Sequence, residues 1–207
     1  YEGLGSIYWH MVSKLHLAVQ EVCLKEIDNQ ENKEIVAKLI SHYEEIGTGI
    51  GIHKTPQVYG AFPTDPYSHT PLHRGAQQPG MTGQVKEDIV IRIAEFGVKM
   101  NDGKLQFNPV LLHKNQFLST EKNVEFIGLD GSKNTISLEQ NSLAFTYCQV
   151  PVVYKIASSN QLHILYQDGS TEINQSLELN EFQSKDVFQR TGKIKQIEVS
   201  ISESKLL

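Results

Sequence analysis

The spacing of apolar positions divides the chain into two halves with different periods. Residues 6 to 26 repeat at helical spacing through Tyr8, Val12, Leu15, Val19 and Val22, with Trp9, Met11 and Ala18 widening the stripe. A second helix is predicted over 31–46, on Ile35, Leu39, Tyr43 and Ile46, entered through Asn29 and closed by Gly47. A third is predicted over 83–96, on Val85, Ile89, Ile93 and Phe96, with Ile91 and Ala94 broadening it and Gly97 at C′. Faces this broad suit helices packed on more than one side, which three helices do not supply alone. From Leu105 the period falls to two. Segments such as "NVEFIGL", "SLAFTYCQVPVVYKI", "QLHILYQ" and "KIKQIEVSIS", separated by "DGSK" and "QDGS", predict about eight short strands. Residues 183–191 add a helical turn, and Tyr147, Tyr154 and Tyr166 are expected in or half in the core. The reading is α+β, with helices in 1–104 and an antiparallel β-sandwich in 105–207.

Between the second and third helices, residues 47–82 show no periodic segment. They hold five of the chain's seven prolines, with Tyr59, Phe62 and Tyr67 among them. Loops longer than about 12–15 residues are usually functional or disordered. The aromatics favour an ordered loop that forms either a ligand surface or a structural cover. Although the chain is acidic overall, no carboxylate occurs between Asp65 and Glu87.

The end of this loop suits an anion. Thr82 and Gly83 stand where the third helix is predicted to begin, and free N–H groups with the positive end of the helix dipole favour negative charge there. His69, His73 and Arg74 supply positive charge from the same loop. The alternative is an ordinary N-cap. His69 and His73 are four apart, but the prolines around them oppose a helix and no third ligand is near, so no metal is expected.

A net charge of −5 with pI near 5.9 leaves no basic stripe for nucleic acid. No apolar run approaches the roughly 20 residues of a membrane span. Cys23 and Cys148, far apart, predict free thiols and a reducing, cytoplasmic setting. The chain begins at Tyr1 and enters a helical pattern at once, so it is expected to be a fragment of a longer parent.

The order "GSIYWHMVSKL", a helix, "DPYSH", "PGMTGQ" with a helix, then "EFGVKMNDGKLQFNP" resembles the end of the catalytic barrel in cellobiose- and chitobiose-phosphorylase-type enzymes. The resemblance covers roughly residues 3 to 115. It implies the last hairpins of an (α/α)6 toroid followed by a β-domain, and inverting phosphorolysis of a glycosidic bond. It also implies phosphate contacts from His10, Thr82 and Gly83, with His69, His73, Arg74, Gln77 and Gln78 as substrate-binding candidates. Inorganic phosphate would be the co-substrate, with no other cofactor, and the general acid would lie upstream of this chain. The sequence departs from the family at "GM", where an aromatic precedes Thr-Gly, and at "QVKED", where small residues and Trp follow.

Two alternatives stand beside this reading. One is hydrolysis on the same scaffold, which needs a second carboxylate to activate water, with Asp65 or Glu2 as base. The other is a non-catalytic β-sandwich that binds carbohydrate or protein. The expected partners are a di- or oligosaccharide, and either the remainder of the parent chain or a second copy.

Overall fold

The computed structural model describes residues 4–29, 32–50 and 84–207, and the chain divides into two compact units, the first running to Ile93 and the second Ala94–Leu207. The protein is mixed α+β with antiparallel-rich sheets. Among the described residues there are four helices and nine strands. No described helix is long and apolar enough to cross a membrane.

In the first unit, α1 (Leu4–Asp28) and α2 (Lys33–Ile50) form a hairpin, and α3 (Gln84–Glu95) is the next described helix. The start of α2 differs from expectation. Asn32, not Asn29, caps it, its Oδ1 accepting the Glu34 N–H at 2.8 Å. Lys38 then pairs with Glu34 one turn back at 2.8 Å. The helix also runs through Gly47 to Ile50, because Gly47 serves packing and not termination. A Cβ there would meet the His16 Nε2 at 3.1 Å, so the absence of a side chain lets α1 come close.

α3 ends as predicted at Gly97. The glycine adopts φ +67°, its N–H returns to the Ala94 carbonyl at 2.8 Å, and an added Cβ would sit 2.1 Å from the Asn108 carbonyl carbon. The chain then enters a hairpin of β1 (Val98–Asn101) and β2 (Lys104–Phe107). Asp102 and Gly103 take positive φ in its two-residue turn, which matches the right-handed twist of the strands. This hairpin spans residue 104 and belongs to the second unit.

A second hairpin, β3 (Lys122–Ile127) with β4 (Lys133–Leu138), stands apart from the main sheet. The main sheet has the order β5-β6-β9-β7-β8, from β5 (Ser142–Tyr147), β6 (Val150–Ala157), β7 (Gln161–Tyr166), β8 (Thr171–Asn174) and β9 (Ile194–Ser202). The expected sheet is purely antiparallel, whereas β6 and β9 run parallel. A parallel pair needs a long crossover, and residues 158–193 supply it with β7, β8 and α4 (Glu181–Phe188). α4 carries a reciprocal cap: Asn180 Oδ1 accepts the Gln183 N–H at 2.9 Å, and Gln183 Oε1 accepts the Asn180 N–H at 3.0 Å. Ser184 of the same helix accepts the Leu105 N–H at 3.0 Å and so ties α4 to β2.

The core gathers Leu105, Phe107, Val152, Leu162, Ile164, Leu179, Val187, Ile197, Val199 and Ile201 around Tyr154. Tyr154 is fully buried, while Tyr147 and Tyr166 pack half-buried against the same core. The Tyr154 ring meets Phe145 edge-on at 5.3 Å and Phe107 at 6.2 Å, and its hydroxyl donates to the Phe96 carbonyl. Burial pushes the hydroxyl pKa well above the usual tyrosine value, so it stays a donor at any ordinary pH. Tyr154→Phe is expected to destabilise the second unit by about 1–2 kcal/mol, since the Phe96 carbonyl loses its partner. Urea unfolding followed by near-ultraviolet circular dichroism checks this, and an unchanged midpoint would show that the bond contributes nothing.

Candidate functional site

The loop residues singled out in the sequence, Asp65, His69, His73, Arg74, Gln77, Gln78, Thr82 and Gly83, lie outside the described residues, as does Glu2. His10 falls within α1, but its side chain is likewise outside them. What is described is the scaffold beside them: α3 begins at Gln84, directly after Thr82 and Gly83. The site is therefore built here from the residues that α1, α2 and α3 bring to that helix start.

The buried face of α1 is not the expected apolar stripe. It is Ser13, His16, Gln20 and Cys23, at 0, 3, 0 and 0% exposure, spaced three, four and three apart on one side of the helix. Met11, Leu15 and Val22 are instead 65, 53 and 45% exposed. α3 shows the same inversion: Glu87, Ile91 and Glu95 are buried while Ile89, Val90 and Ile93 are exposed. Burying polar groups in a helix packing is costly unless partners satisfy them, so the partners they find, and the atoms left without one, define the site.

The His16 ring stacks on Tyr43 of α2, with centroids 4.4 Å apart. One turn on, the Gln20 amide nitrogen donates to the Tyr43 hydroxyl at 3.1 Å and to the Ile91 carbonyl at 2.9 Å. This single amide cross-links all three helices. Lys14 reaches from α1 to Glu87 in the first turn of α3, at 3.0 Å. The lysine side chain is 60% exposed and the glutamate 8%, so the pair presents its cation to solvent and its carboxylate to the interior.

Asp88, next to Glu87, has its carboxyl pKa raised above the ordinary aspartate value, first by burial and then by the Glu87 charge. Among the described residues, Ser13 Oγ, Gln20 Oε1 and Asp88 Oδ1 are buried without a hydrogen-bond partner. Such groups cost about 1–3 kcal/mol each when left unmade. The cluster thus combines a cation, a paired carboxylate, a carboxyl that holds its proton more tightly than usual, and neutral polar atoms with free capacity. Among the described residues no three His, Cys, Asp or Glu side chains gather as for a metal ion.

No protein-family model matches the chain, and no curated protein does either. The polar residues of this seam carry a signal in the sequence. Ser13, His16 and Gln20 recur at helical spacing just beside the apolar positions, and Glu87 and Ile91 do so on α3.

The Asp88 environment makes a pH-dependent prediction. Its folded pKa lies above its unfolded one, so its contribution to stability is present below pH 3.8, the ordinary aspartate value, and is lost as pH rises through the raised folded value. Asp88→Asn is therefore expected to unfold at higher urea concentration than the parent at neutral pH. The difference should vanish as pH falls to 3.8. A variant less stable than the parent at neutral pH would mean that the charged carboxylate is a required partner.

Proposed function

We propose that the chain is the C-terminal part of a carbohydrate-active enzyme built on an (α/α)6 toroid, and that the enzyme is an inverting glycoside phosphorylase. The observation that carries this reading is the inversion of α1 and α3. A helix that turns polar side chains inward and leaves Met11, Leu15 and Val22 bare suits a double layer of helices, in which further helices cover the apolar side. The order of a helical hairpin, a further helix and a β-rich unit supports it as well.

In this reading Thr82 and Gly83 hold phosphate at the start of α3, with His10 beside them, and His69, His73, Arg74, Gln77 and Gln78 contact sugar or phosphate. Lys14 is added from the structure. It pairs with Glu87 in the first turn of α3, and so offsets the one charge there that would repel an anion from the N–H groups of the helix start. The general acid comes from the rest of the parent chain. Phosphate takes the place of the water and base that a hydrolase requires, which accounts for the carboxylate-free loop.

Turnover by the full-length protein, measured on a panel of β-linked disaccharides with and without inorganic phosphate, tests the proposal. The expected product is a sugar 1-phosphate that forms only with phosphate present. His10→Ala and Thr82→Ala should each lower that turnover by about 10²-fold, the usual loss for one donor to a reacting anion. Release that ignores phosphate would make the enzyme a hydrolase and turn attention to Asp65. The 207-residue chain alone is expected to lack turnover and to self-associate in sedimentation velocity, since bare apolar patches beyond a few hundred Å2 are rare in monomers. A clean monomer would count against the toroid assignment.

A further inference from the structure

The second unit contains a cleft of about 600 Å3 between the β3–β4 hairpin and the outer face of the main sheet. Two packed sheet layers normally fill the space between them with side chains. Here the side chains leave a cleft whose volume falls within the roughly 300–1,000 Å3 of small-molecule sites.

The walls follow from strand register. Phe126 on β3 lies directly opposite Asn134 on β4, so an aromatic ring and an amide stand side by side on the hairpin face that lines the cleft. Across from them Pro151 and Leu165 form an apolar floor, with Gln196 beside Leu165 in the β7–β9 pairing. Gln149 closes one end. It sits in the two-residue β5–β6 turn with φ +65°, after Cys148 at +49°, a left-handed pair in which neither residue is glycine. That strained turn brings its amide nitrogen to the Gly128 carbonyl at 3.3 Å, joining hairpin to sheet. A Cβ at Gly128 would lie 2.6 Å from Asn134 Nδ2, so the glycine lets that amide lie close over the hairpin backbone.

The chemistry of this lining is selective. Its neutral polar groups are the amides of Asn134, Gln149, Gln167 and Gln196 and the hydroxyls of Thr135 and Ser137, all of which can both donate and accept. Its charges, Asp130 and Lys195, are one of each sign, so the cleft offers no net field to an anion or a cation. A ring with an apolar C–H face and a rim of hydroxyls is the complement of an aromatic and apolar floor bordered by amides. We propose that this cleft binds a neutral saccharide, in a site separate from the chemistry of the helical unit. The cleft is lined by residues of the second unit alone, so saccharide binding there is independent of whether the parent enzyme uses phosphate, water or neither.

Isothermal titration calorimetry of the full 207-residue chain with neutral gluco-, manno- and xylo-oligosaccharides, and with polygalacturonate as a charged control, tests the proposal. At least one neutral series should bind and the polyanion should not. Asn134→Ala alters an exposed side chain, and Gln149→Gly keeps the left-handed turn without strain, so both variants should fold. Each should weaken binding about tenfold, as the loss of one good hydrogen bond does, with an unfolding midpoint close to the parent's. Saccharide binding that survives the double variant would lie elsewhere and overturn the proposal. Failure of every neutral series, or a preference for the polyanion, would overturn it equally.

Discussion

The second unit depends on the insertion of its last strand. β9 pairs in parallel with β6 from Val152↔Ile197 to Ala157↔Ser202 and antiparallel with β7 on its other side. Without it, β5–β6 and β7–β8 are two separate hairpins with no shared core. Ile197, Val199 and Ile201 are fully buried, so the strand that completes the hydrogen-bonding also completes the packing. Local hairpins close cheaply, but the parallel pairing joins residues some 45 apart and requires α4 and both flanking strands to be in position first. The reciprocal Asn180–Gln183 cap and the Ser184–Leu105 bond act on that crossover, which gives these polar contacts a topological role beyond their individual energies.

The first unit is held differently. Its three helices meet through an amide and a stacked histidine more than through aliphatic packing. A leucine in place of Gln20 would fill similar volume but leave the Ile91 carbonyl and Tyr43 hydroxyl without their donor. Directional contacts of this kind fix helix register closely, which matters when α3 begins one residue after a Thr-Gly pair expected to hold an anion. Polar burial in this unit therefore trades stability for position.

Much of this was legible in the sequence. The three helices, the change of period near residue 105, the Gly97 terminus, the turns at "DGSK" and "QDGS" and the helix near 183 follow from local chemistry that acts within a few residues. The errors share another origin. Gly47 reads as a stop signal because its packing partner, His16, is 31 positions away, and the buried face of α1 reads as apolar because amphipathicity assumes water on the outside. The parallel β6–β9 pair, likewise, is invisible to a period of two, which says which face is buried but not which strand is next door. Of the residues proposed for the site, Thr82, Gly83 and the histidines rest on motif and loop composition alone and lie outside the described residues, whereas Lys14, Gln20 and Asp88 needed three helices to be seen together.

The two thiols occupy opposite chemical situations, and neither is in a disulfide. Cys23 closes the polar face of α1 with no exposed surface, and burial raises its pKa, so the thiolate that electrophiles require is scarce there. Cys148 is half-buried in the left-handed turn, one residue from Gln149 and the mouth of the β-unit cleft. The native chain thereby carries a thiol suited to selective attachment. A maleimide fluorophore or spin label would settle on Cys148 ahead of Cys23, reporting on the cleft from its rim with no engineered cysteine.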